Sequence, residues 1–272
     1  MQIFFRSLVS MARSSFVISA VWFLSLLSGI LFLYLLQRFS FAPHSQFDFS
    51  HASEWSSHPE PLSDSTINIA FLGDSWIHNG EVGRFVQESL ASNNHYSVTK
   101  SFGFCGATSK DLYQMISNPS PLYHYADHTW DYVVVIVGVN DASGQYGPDF
   151  YSQHTFWMAE RILQMGAIPI IVELPTFAIE ESTSLFPWVK RVRNQIFAWW
   201  QGCSINNISC YRNALRQKIN ESDLKDKIRI VDFDQVCSQY SEDKELYRDF
   251  FHLNSRGNKK LATAIAAEII EK

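Results

Sequence analysis

The sequence has no block of like charge, no internal repeat and no cysteines at metal-ligand spacing. Charged residues are only 18% of the chain, with a formal net charge of -5 and a pI near 6.0. That leaves no electrostatic reason to expect a nucleic-acid partner. Cys105, Cys203, Cys210 and Cys237 are the only cysteines. Cys203 and Cys210 bracket a short polar stretch, so they either close a disulfide outside the cytoplasm or stand with the others as free thiols. What the chain does have is 46% hydrophobic residues, including 21 Phe, 11 Tyr and 8 Trp. Its 272 residues suffice for one full catalytic domain and a short appendage.

Between Arg38 and Arg84 there is no Lys or Arg, and Phe16 to Leu36 contains no charge at all. These 21 residues match the roughly 20 that a helix needs to cross a bilayer. They exceed the roughly 7–15 of a signal-peptide apolar region. A cut at Phe41-Ala42 would leave Pro43 just after it, so a retained anchor is expected over a removed signal. Arg6 and Arg13 precede the run and Arg38 alone follows it closely, which puts residues 1–15 in the cytoplasm. Residues 16–36 are then the transmembrane helix, 37–65 a Ser-, His- and Pro-rich tether, and 66–272 an extracytoplasmic domain. His44, His51 and His58 recur in the tether without a helical pattern, and no metal site is expected there.

Beyond the tether, short apolar runs alternate with helical spacing. Ile67–Leu72, Ser97–Phe102, Tyr132–Val137, Ala167–Leu174 and Ile228–Val231 read as five strands. Glu81–Leu90, a segment from Ser109, Tyr151–Met165 and Ser255–Ile270 read as helices. Such alternation implies a parallel sheet with helices on both faces. Ligand-binding residues in such sheets lie in loops beyond the carboxyl ends of the strands. Three loops qualify: Gly73-Asp74-Ser75, Gly103 to Gly106, and Gly138-Val139-Asn140-Asp141.

A serine hydroxyl becomes a nucleophile only when a base within hydrogen-bond reach takes its proton. Acyl transfer also needs donors aimed at the developing oxyanion. Ser75 stands at a strand-to-loop transition, although Gly-Asp-Ser by itself arises by chance in about one chain in twenty of this length. Asp249 precedes His252 by three residues just ahead of a helix, so its carboxylate can accept from Nδ1–H and leave Nε2 free. Gly106 permits a close backbone N–H, and Asn140 offers a side-chain amide. Asn254 or Ser255 caps the last helix.

Phe71 to Trp76, Gly103 to Thr108, Gly138 to Asp141 and Asp249 to Asn254 together resemble the four sequence blocks of the SGNH (GDSL-type) hydrolase family, in the family's order. The resemblance implies a three-layer α/β/α, flavodoxin-like fold on a five-stranded parallel sheet. It implies a triad of Ser75, His252 and Asp249, and an oxyanion hole from the Ser75 N–H, the Gly106 N–H and the Asn140 side chain. No metal or organic cofactor is implied. Ser101 stands where the family usually has Asn, Cys105 where Ser is common, and Leu253 where Pro is frequent; none of these removes a reacting group.

The expected activity is hydrolysis of a carboxylic ester, foremost an O-acetyl group, on a cell-envelope glycan or lipid-linked substrate. Acyl transfer to a sugar hydroxyl uses the same triad, and a non-catalytic glycan-binding domain is the third reading. Trp76 and Asp74, flanking the nucleophile, are candidate substrate contacts. Leu185 to Ile219 holds Phe186, Trp188, Phe197, Trp199 and Trp200 beside Lys190, Arg191 and Arg193. It reads first as an amphipathic helix packed on the sheet, then as a substrate-binding wall, then as a helix lying on a membrane surface. Asn207-Ile208-Ser209 and Asn220-Glu221-Ser222 fit the glycosylation sequon, which matters only in a eukaryotic secretory pathway.

Overall fold

The structure, a computed structural model, describes residues 17–32, 53–56, 66–117 and 130–270. They belong to two compact units, residues 1–47 and 48–272. In the first, residues 17–32 form helix α1, with its large apolar side chains exposed. Among the described residues no helix is long and apolar enough to cross a membrane. Residue 16 and residues 33–36 of the expected span lie outside the described residues, as do the three histidines of the tether.

The second unit is built on strands β1 (Ser53–Ser56), β2 (Ile67–Gly73), β3 (Ser97–Gly103), β4 (Tyr132–Ile136), β5 (Ile168–Val172) and β6 (Arg229–Val231). Their order across the sheet is β1-β3-β2-β4-β5-β6. The last five strands pair in parallel, as expected from the alternation. β4 is buried along its whole length, which is why its sequence is a continuous apolar run. β1 is an addition. It lies inside the stretch read as tether and pairs antiparallel with β3. Ser-Glu-Trp-Ser carries no alternating apolar pattern, because an edge strand can be recruited through backbone hydrogen bonds alone.

Nine α-helices are described. After α1 come α2 (Glu81–Ser92), α3 (Ser109–Ser117), α4 (Val139–Gly144), α5 (Pro148–Gln164), α6 (Ile179–Ser184), α7 (Trp188–Trp200), α8 (Ile208–Asn220) and α9 (Ser255–Ile270). α2 packs on α9, while α5 packs on both α3 and α8, giving a helical layer on each side of the sheet. α5 begins three residues earlier than its apolar spacing suggests, because Pro148 occupies its first turn, where a missing N–H is harmless. α9 is capped by Asn254, whose Oδ1 accepts the N–H groups of Arg256 (3.0 Å) and Gly257 (3.1 Å). Glu81 of α2 accepts from Ser255 and from Asn258 Nδ2 (2.6 Å), which ties that end of α9 to the opposite helix.

Register sets the site. Gly73 of β2 pairs with Gly103 of β3 and with Ile136 of β4, so the three strands end at one level. The loops that follow therefore start side by side.

Candidate active site

At the end of β2 the chain turns sharply over its neighbours. A Cβ on Gly73 would sit 2.5 Å from the Ile136 carbonyl oxygen, and one on Gly103 would strike the backbone of His78. Only glycine lets these loops close together. The turn is held by Asp74: its Oδ1 accepts the Trp76 N–H (3.0 Å) and its carbonyl accepts the Ile77 N–H (3.2 Å). Ser75 is thereby left half-buried at the tip.

His252 arrives from the far end of the chain. Ser75 Oγ and His252 Nε2 are 2.8 Å apart across 177 residues of sequence. His252 Nδ1 lies 2.9 Å and 3.0 Å from the two carboxylate oxygens of Asp249. A carboxylate can only accept, so Nδ1 carries the proton and Nε2 is the acceptor for the serine hydroxyl. Asp249 also accepts the N–H groups of Phe251 (2.8 Å) and His252 (2.9 Å). Burial pushes the Asp249 carboxyl up, but the Phe251 N–H and the His252 ring and N–H outweigh it and hold it below the ordinary carboxylate value. The group stays ionised and fixed against the imidazole.

Opposite this relay stand the oxyanion candidates. Gly106 is exposed with φ +82°, a left-handed conformation that favours glycine. Among the described residues neither its N–H nor that of Ser75 has a protein acceptor. Asn140 sits in the first turn of α4, whose start at Gly138 (φ +118°) is pressed against the Tyr151 ring. Its Nδ2 donates to the Ala107 carbonyl (2.9 Å) and to Asp74 Oδ2 (3.2 Å). Both amide hydrogens are thus engaged, and an incoming oxyanion would have to share the one now on Asp74.

Two carboxylates lie fully buried behind these loops. Burial, reinforced by the nearby Asp141 charge, raises Asp74 to about 7 despite the Trp76 and Asn140 hydrogen bonds. Asp141 is raised to about 6, again chiefly by burial, although it accepts the Ser109 hydroxyl (2.5 Å) and N–H (3.0 Å). Asp111 does the same for the Thr108 N–H (2.9 Å) and hydroxyl (2.6 Å). Asp141 and Ser109 were not picked out by sequence reasoning. They clasp the second loop to the third and so fix Gly106 relative to Asn140. The available signal was an acid directly after Asn140 and a serine at the start of a helix.

Trp76 and Asp74 are not on the surface as substrate contacts would be. Trp76 is 4% exposed, edge-on to Phe233 at 5.8 Å and tilted 6.5 Å from the His252 ring. A residue next to Ser75 on this tight turn points back into the core, and both side chains buttress the candidate site from below. Beside the site a polar cavity of about 420 Å³ is bordered by Thr176, Phe177, Asn213, Arg216 and Tyr240. Phe177 stacks on Phe251, the residue before His252, at 5.9 Å. The cations there are committed, Arg212 to Asp234 and Arg216 to Glu173. All four cysteines are free thiols, and Cys203 Sγ–H donates to the Gln201 carbonyl (3.6 Å). Among the described residues no three His, Cys, Asp or Glu side chains are grouped to hold a metal ion.

Comparison with other proteins identifies the family and the fold. The sequence profile of the GDSL-like Lipase/Acylhydrolase family matches residues 71–260. None of the curated proteins is similar in sequence. Among solved structures, a GDSL-like lipase from Bacteroides thetaiotaomicron VPI-5482 superposes with a TM-score of 0.53 at 16% identity, covering 79% of this chain and 92% of the lipase. An acetyl xylan esterase also gives 0.53, at 18% identity over 75% of this chain and all of the esterase. A lipase/acylhydrolase from Enterococcus faecalis gives 0.53 at 16% identity, with 75% and 95% covered. At these identities the superpositions establish the shared fold.

Proposed function

This chain belongs to the GDSL-like lipase/acylhydrolase family and is an ester hydrolase, and we propose that it cleaves carboxylic esters through a Ser75–His252–Asp249 triad. The observation that carries the reading is the continuous chain of contacts from Ser75 Oγ to His252 Nε2 (2.8 Å) and from Nδ1 to Asp249 (2.9 Å). In this reading Ser75 Oγ attacks the acyl carbon as Nε2 takes its proton. The Ser75 and Gly106 N–H groups and the Asn140 amide meet the oxyanion. Nε2 then returns the proton to the departing alcohol, and water resolves the acyl-enzyme by the same route in reverse. Asp249 stabilises the imidazolium without itself taking the proton.

For the substrate, the proposal is an O-acyl, foremost O-acetyl, group on a cell-envelope glycan or lipid-linked molecule. The support is the placement of the site after an uncharged run of 21 residues with Arg6 and Arg13 before it. That run is read as a membrane anchor with the domain on the extracytoplasmic side.

The full chain in detergent should hydrolyse p-nitrophenyl acetate, and Ser75→Ala should lose on the order of 10⁴-fold or more in kcat. Equal rates for variant and parent, with circular dichroism unchanged, would remove the assignment. Resistance to alkaline carbonate extraction, with protease cleavage of the domain in intact spheroplasts, tests the anchor and its orientation.

A further inference from the structure

α7 is amphipathic in the reverse sense for a helix of a soluble domain. Its buried residues are Asn194 and Ala198. Its large apolar residues face outward: Trp188 is 69% exposed and Trp199 79%, with Val189, Val192, Ile196 and Trp200 all exposed as well. At 3.6 residues per turn these six fall within an arc of about 120°, opposite Asn194 and Ala198. Arg191 lies about 60° beyond one edge of that arc and Lys190 about 80° beyond the other, Lys190 with its Nζ 3.5 Å from the Phe186 ring centroid. From residue 182 to residue 220 the chain contains no Asp or Glu.

The inner side of α7 is anchored by polar contacts instead. Asn194 Nδ2 donates to the Ser143 carbonyl (3.3 Å) and Arg193 Nη2 to the Gly144 carbonyl (3.2 Å). Both acceptors end α4, and Asn140 stands about one helical turn earlier on that helix. The outward face therefore rides on the element that carries the Asn140 amide.

We infer that the outward face of α7 lies in the headgroup region of an anionic bilayer and holds the site against it. Three tryptophans on one face suit the membrane interface, where an apolar ring body and a polar N–H are both satisfied. Basic residues flanking the stripe, with no Asp or Glu between residues 182 and 220, complement anionic headgroups. The uncharged N-terminal run supplies the bilayer, so the inference rests on reading that run as an anchor. Esters presented at the membrane surface are then the substrates this site meets first.

The test is hydroxyl-radical footprinting of the full chain in vesicles of phosphatidylcholine alone and of phosphatidylcholine with phosphatidylglycerol. Trp157 on α5, 38% exposed, is the internal reference for Trp199 at 79%. On anionic vesicles Trp199 labelling should fall below that of Trp157, reversing their order of exposure. Neutral vesicles, or the Lys190→Gln/Arg191→Gln variant on anionic ones, should protect less. Trp199 labelled above Trp157 on anionic vesicles overturns the inference. So does protection that persists in amphipol without lipid and grows with protein concentration, since a second copy would then cover the face. Fluorophosphonate labelling of Ser75 verifies the fold of each sample. Carbonate extraction reports on the anchor alone, and the tryptophan ratio on α7 alone.

Discussion

The loops around Ser75 and the outer face of α7 handle solvent in opposite ways. In the loops, charge goes inside: Asp74 and Asp141 are fully buried, and each is held by hydrogen bonds from a neighbouring loop. On α7, apolar surface goes outside, and two polar side chains make the attachment. Burying ionisable groups opposes folding, and leaving tryptophans in water forgoes the gain of covering them. Each arrangement makes sense as a device serving something other than stability. In the proposed function the loops fix donors around an oxyanion, and in the membrane inference the helix presents its face to a bilayer.

If that contrast holds, changes in the loops should fall on rate and changes on α7 on neither rate nor stability in detergent. His252→Ala should lower kcat on p-nitrophenyl acetate by on the order of 10⁴-fold while leaving the melting temperature near that of the parent. Asn140→Ala should lower kcat by about 10²–10³-fold with little change in KM, as expected for a donor used mainly in the transition state. Urea titration can sharpen the other half. Leu215→Ala, on the buried face of α8, should destabilise by about 2–5 kcal/mol. Ile196→Ala, on the outward face of α7, should stay within about 0.5 kcal/mol. A large loss from Ile196→Ala would mean that α7 is packed after all.

A pH-dependent effect comes from Asp74. Its pKa is raised from 3.8 in the unfolded chain to about 7 in the folded one, so the folded state holds a proton that the unfolded state has released. Stability from this group is full below about pH 4 and is lost as pH rises to about 7. Asp249 has the opposite sign, because its lowered pKa adds stability above the ordinary carboxylate value and loses it in acid. Asp74→Asn should therefore gain on the parent between pH 5 and pH 8, by on the order of 1–3 kcal/mol in the unfolding free energy from urea titration. An unchanged difference across that range would show that Asp74 is ionised at little penalty in the fold.

Much of the site was legible in the sequence because its chemistry demands particular residue types at strand ends. Ser75, Gly106 and Asn140 each follow an apolar run, and Asp249 and His252 are close enough in sequence to be read as a pair. The five parallel strands were legible for the same reason, since buried strands announce themselves as continuous apolar runs. β1 was not, because Ser53–Ser56 joins the sheet through its backbone. Nor was the Asp141–Ser109 clasp, a contact between residues 32 apart that only the register of β2, β3 and β4 brings together. α7 marks a different limit. Helical spacing of Trp188, Val192, Ile196 and Trp199 reveals a stripe, yet it says nothing about which way the stripe faces. The expectation of a helix packed on the sheet by its apolar side suits α8, which buries Ile208, Tyr211, Leu215 and Ile219. It fails for α7.

The central claim is that Ser75 is the activated nucleophile. It is tested most directly by treating the full chain with a fluorophosphonate at neutral pH and sequencing the modified peptide by mass spectrometry. One adduct on Ser75, strongly diminished in His252→Ala, is the predicted result. An adduct on another residue, or equal labelling of Ser75 with and without His252, would contradict it.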